Sequence, residues 1–111
     1  MLFAAERYGP CAFFCQQAAE KALKAAIYNS SERPWGHSVP SLLDQVCVIL
    51  RVQPDNAPFM AAEALDEHYI RSRYPDARPS SEADYTREVA EGALQDAGSV
   101  HAFVLENLRD A

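Results

Sequence analysis

No apolar run in this chain of 111 residues approaches the roughly 20 residues a membrane span requires. The N-terminus also lacks a basic segment followed by an apolar one, the pattern of a secretory signal. Both absences lead us to expect a cytoplasmic protein. Basic residues are scarce, 10 Lys and Arg against 16 Asp and Glu for a net charge of −6, which argues against non-specific binding to nucleic acid or to anionic membranes. A local basic patch is compatible with that balance. No segment sustains polar–apolar alternation and none carries a hairpin signal, so strands are not expected. No glycine-rich phosphate loop, nucleophile elbow or paired-histidine protease motif is present, and the common enzyme classes lose their support with them. Cysteine comes as an odd three, Cys11, Cys15 and Cys47, in apolar helical surroundings that suit reduced, buried thiols. Cys11 and Cys15 lie one helical turn apart, but no second pair stands at ligand spacing, so no metal is expected. Without repeats or low-complexity runs, the length predicts one domain over residues 1–111 with a single modest core.

What the chain does have is helical periodicity. The organising stretch is Phe13 to Tyr28, FFCQQAAEKALKAAIY. At about 100° per residue, Phe14, Cys15, Ala18, Ala19, Ala22, Leu23, Ala25 and Ala26 fall on one side, and Gln16, Gln17, Glu20, Lys21 and Lys24 on the other. The alanines let a neighbouring helix come close. The polar side has two readings: a solvated surface on which Glu20 supports Lys24 at i,i+4, or the lining of a cleft for an anionic ligand or a partner.

Ahead of this helix, Met1 to Tyr8 has a helical composition and is expected to end at Gly9-Pro10, where proline removes a donor and forces a turn. Asn29 to Gly36 reads as a polar loop. Ser38 reads as an N-cap before Val39 and Pro40, and Leu42, Leu43, Val46, Cys47, Ile49 and Leu50 carry helical spacing through Arg51. After a break at Pro54 to Asn56, Asp55 or Asn56 is expected to cap a third helix with Pro58 in its first turn and Phe59, Ala62, Leu65 and Tyr69 inside. Pro75 ends that helix near Arg73 or Tyr74. Asp76 to Ser81 is a short connection. Ser81 and Asp84 resemble a capping pair for the last helix, where Tyr85, Val89, Ala93, Ala97, Val100, Val104 and Leu108 recur every three or four residues. Gly92 and Gly98 each cost that helix about 1 kcal/mol against alanine, or permit a close contact. The pattern predicts an all-α, antiparallel up-and-down helical bundle.

Chemistry concentrates in Tyr69 to Arg78, YIRSRYPDAR, where Arg71, Arg73 and Arg78 crowd into an otherwise acidic chain. Guanidinium groups suit bidentate phosphate binding, and Tyr69 and Tyr74 offer rings for stacking. The same segment also reads as a helix-ending corner in which Asp66 or Asp76 pairs an arginine. His37 stands beside a helix N-terminus, where it either fixes the loop or contacts a ligand. Neither His68 nor His101 has a positioned partner that sequence can show.

QQAAEKALKA, the His37 of WGHS, the Leu42-Leu43 pair and the RYPD of Arg73 to Asp76, in that order, resemble a HEPN domain (higher eukaryotes and prokaryotes nucleotide-binding) over almost the whole chain. The resemblance implies a helical bundle, dimerisation and nucleotide binding. It also implies that the chain starts inside the family's first helix, leaving that helix truncated. In the family's ribonucleases an arginine is followed by four to six residues and then a histidine. Among the arginines here, Arg33 comes nearest and misses by one, with three residues before His37. The sequence is therefore more similar to members without that motif, which include proteins encoded beside a minimal nucleotidyltransferase and the HEPN domain of the chaperone-like sacsin. These suggest a homodimer without a cofactor, with ATP or GTP as ligand and a nucleotidyltransferase or a chaperone chain as partner. The expected groove lies between Gln17, Lys21 and Lys24 and the corner of Arg71, Arg73 and Tyr74, with His37 at its rim. Two alternatives stay open: an atypical ribonuclease or toxin using His37 or His68, and a purely structural dimerisation module.

Overall fold

The computed structural model describes residues 8–73 and 86–109, with 69–73 and 109 by backbone alone. Among the described residues there are four helices and no strand: α1 (Tyr8–Asn29), α2 (Val39–Leu50), α3 (Phe59–Arg73) and α4 (Arg87–Arg109), with a 3-10 turn at Pro54–Asn56. The all-α bundle read from the sequence is the fold. α1 packs against the other three helices, and α3 also meets α2 and α4. Leu23, Ile27, Leu42, Leu43, Leu65 and Val100 fill the centre with under 2% of their surface exposed, each worth about 1.5–3 kcal/mol of burial.

Contrary to the expected turn, Gly9-Pro10 lies within α1. Proline holds φ near the helical value and removes one donor, so the residues after it carry the helix on. Residues 1–7, and with them the expectation of a truncated first helix, lie outside the described residues.

α1 is also rotated from the expected orientation. Its buried side is Cys11, Ala12, Cys15, Gln16, Ala19, Glu20, Leu23, Ala26 and Ile27, so Gln16 and Glu20 point inward while Phe14, Ala18 and Ala25 face out. Alanines do not fix a helix's rotation because each buries little more than a methyl group. The larger Leu23 and Ile27 do fix it, and they carry Gln16 and Glu20 in with them.

Local signals set the helix ends. The Ser41 amide donates to Ser38 Oγ at 3.3 Å, as expected of an N-cap, with Pro40 in the first turn. α2 ends at Arg51, in the left-handed region at φ 58°. Asp55 and Asn56 do not cap α3. They belong to the 3-10 turn, whose Asn56 and Ala57 amides return to the Gln53 and Pro54 carbonyls, while Pro58 precedes α3 and accepts from the Ala62 amide at 3.0 Å. Thr86 Oγ1 accepts from the Val89 amide at 3.2 Å and caps the start of α4. The suggested pair Ser81 and Asp84 lies outside the described residues.

Candidate functional site

Because α1 turns Gln16 and Glu20 inward, a carboxylate sits almost inside the bundle and must find partners there. Glu20 Oε1 accepts from Gln16 Nε2 at 3.1 Å. Glu20 Oε2 lies 2.9 Å from Lys24 Nζ and 3.0 Å from His37 Nδ1. Gln17 Nε2 donates to Gln16 Oε1 at 2.6 Å, extending the chain of polar groups toward the surface. Burial pushes the Glu20 carboxyl up, but the hydrogen bonds from Lys24, His37 and Gln16, with the Lys24 charge, outweigh it and hold it below its ordinary value of 4.5.

Lys24 Nζ is also 3.2 Å from His37 Nδ1. With the proton assigned to Nδ1, both nitrogens donate to Glu20 Oε2, and the shared carboxylate oxygen offsets the closeness of the two donors. The cluster is then neutral with His37 uncharged, and carries one positive charge when the imidazole is protonated. Glu20 is nearly buried at 9% side-chain exposure, while His37 is open at 59%. The network thus runs from the core to an exposed imidazole.

The loop that brings His37 here is itself pinned. Trp35 N–H donates to Gln45 Oε1 at 3.2 Å, and Gln45 Nε2 donates to the Trp35 carbonyl at 3.0 Å. Ser31 and Gly36 take left-handed φ values of 64° and 78°, which turn the chain at either end. Across the bundle, Asp66 Oδ1 on α3 accepts from the Val39 amide at 3.0 Å, tying the N-terminus of α2 to α3. Asp66, one of the two candidates to pair an arginine, therefore has a backbone partner. α3 continues beyond Asp66 to Arg73.

The structure brings Gln17, Lys24 and His37 of the expected site into one network. Lys21, on the same side of α1, is exposed. The side chains of Arg71 and Arg73, and the whole of Tyr74, lie outside the described residues. His37 does not merely fix a loop through backbone contacts; it meets the Glu20 carboxylate. Sequence reasoning missed Glu20 and Gln16 as inward-facing members. The available signal was position: Gln16 and Glu20 precede Leu23 and Ile27 by seven residues each, two turns along one stripe. His68 is buried on α3 and His101 is exposed on α4.

Comparison with known proteins agrees with this architecture. The family model "HEPN domain" matches residues 1–108. The chain is similar to a solved structure, TT1696 from Thermus thermophilus, with 39% sequence identity and a TM-score of 0.84 over 96% of this chain and 84% of that one. No curated protein matches.

Proposed function

The chain belongs to the HEPN family, and from that premise we propose a non-catalytic module that binds a nucleotide, ATP or GTP, at the His37 end of the bundle. The observation that carries the reading is the Glu20 network. It sets Lys24 and His37 side by side on one carboxylate, and Arg71 and Arg73 follow on α3 after Asp66, which bonds the Val39 amide two residues from His37. Phosphate would meet Lys24 and the guanidinium groups of Arg71 and Arg73. The acidic whole and the local cations together favour a small anion over a long nucleic acid.

Absence of the arginine-to-histidine spacing supports the non-catalytic half of the proposal. Self-association belongs to the same reading: α1 and α4 pack together, and each leaves large apolar side chains outside, Phe14 and Tyr28 on the first and Leu94 and Leu105 on the second. A second copy is the occupant we assign to that surface, with a nucleotidyltransferase or chaperone chain as the further partner.

Calorimetric titration with ATP, GTP and a short RNA, beside the Arg71→Ala/Arg73→Ala variant, tests the site. Saturable nucleotide binding that the variant loses while its melting curve is unchanged is the expected result. Equal affinity in the variant overturns the arginine site, no binding at all favours a purely structural dimeriser, and RNA cleavage overturns the non-catalytic assignment.

A further inference from the structure

Large exposed side chains are ordinarily mobile, and a mobile ring makes a poor binding surface because its freedom must be lost on contact. Trp35 gives up part of that freedom in its backbone. The residue is 67% exposed, yet its backbone is held from both sides: the N–H and the carbonyl each bond the Gln45 carboxamide, at 3.2 and 3.0 Å. Gln45 is steadied in turn by Ser41 Oγ at 3.4 Å on the same helix. Pro34 precedes the tryptophan, and Gly36, which follows it, turns the chain at φ 78°. Two residues further on, His37 joins Glu20 and Lys24. A two-residue step spans at most about 7 Å of backbone, so the tryptophan and the imidazole of the Glu20–Lys24–His37 cluster stem from neighbouring points of one loop. The largest ring of the chain is thus left in water on a backbone held by two hydrogen bonds.

We infer that Trp35 is the stacking platform for the base of a bound purine nucleotide, with Gln45 as its positioning residue. The inference rests on the nucleotide reading of this end of the bundle and deepens it: phosphates meet the cations, and the base lies on the indole. Purines fit better than pyrimidines because stacking grows with ring overlap. A mononucleotide fits better than RNA because the molecule's net charge of −6 repels a polyanion.

Trp35 is the chain's sole tryptophan, so its fluorescence reports on this position alone. Titration with ATP, CTP, oligo-RNA and inorganic tripolyphosphate, followed by both fluorescence and calorimetry, tests the inference. ATP should quench the emission saturably, CTP should bind more weakly, and tripolyphosphate should bind with no quench. Trp35→Ala should weaken ATP about ten- to a hundred-fold and leave tripolyphosphate unchanged. Trp35→Phe should recover most of the loss, and Gln45→Ala should weaken ATP and shrink the quench without touching tripolyphosphate. Calorimetric binding of ATP with no quench, and unaltered in Trp35→Ala, overturns the platform alone and leaves the phosphate site standing. Absence of binding heat with every ligand overturns both, and preference for oligo-RNA over ATP overturns the mononucleotide.

Discussion

At the scale of single residues, Glu20 holds the site together and its chemistry fixes how the fold responds to acid. Because its folded carboxyl sits below the ordinary value of 4.5, the folded state releases this proton more readily than the unfolded one. The contribution is complete above the unfolded value and disappears as pH falls through the folded one. Thermal melts between pH 6 and 3 should therefore show wild type losing stability more steeply than Glu20→Gln below about pH 4.5; parallel curves would refute the role. Glu20→Ala, which strands the Gln16 amide with Lys24 and His37, should cost about 2 kcal/mol in urea unfolding. Asp96 on α4 works in the opposite sense: burial raises its carboxyl above the ordinary 3.8, so its ionised form disfavours the fold at neutral pH. Asp96→Asn should raise the melting temperature at pH 7. Cys15, pushed up to about 11 by burial and by neighbouring Cys11, should resist iodoacetamide at pH 8 in the native protein and react once it is unfolded.

At the scale of elements, the sequence made the helices legible and their rotations less so. Ser38 and Pro40 announced the start of α2, and the Leu42-Leu43 pair announced its buried side. These signals are local and chemical. The rotation of α1 was hidden because its alanines pack acceptably on either side, leaving the two large aliphatic residues, Leu23 and Ile27, to decide. His37 was legible as a rim residue, but its partner Glu20 was not, since a carboxylate four residues before a lysine looks like any surface pair. The Asp66 bond to the Val39 amide was invisible for a different reason, as it joins residues 27 positions apart. Asp66→Ala should cost about 1–2 kcal/mol, the range of a lost N-terminal partner, and should loosen α2 first in hydrogen exchange. In α4, a methyl group added at Gly92 or Gly98 meets nothing within 4 Å. Each Gly→Ala change should thus stabilise the isolated chain by about 1 kcal/mol, read as a rise in melting temperature of several degrees. A loss of stability at Gly98 would place another backbone against it.

At the scale of the whole molecule, the question is whether one copy is the working unit. Were two copies to associate through α1 and α4, the melting temperature would climb with protein concentration, and Leu94→Glu/Leu105→Glu would remove that dependence. Light scattering then gives the stoichiometry; a monomer at all concentrations, with the melting temperature constant, rules self-association out. The same bundle has a connection between α1 and α2 that is fastened at two places, to Gln45 through Trp35 and to Glu20 through His37, and it leads into a helix start tied to Asp66 through Val39. A segment fastened in this way is a poor place to cut or splice. Limited proteolysis should pass over it despite its open surface, a peptide inserted after Trp35 should unfold one end of the bundle, and a circular permutant opened there should fail where ordinary surface loops succeed.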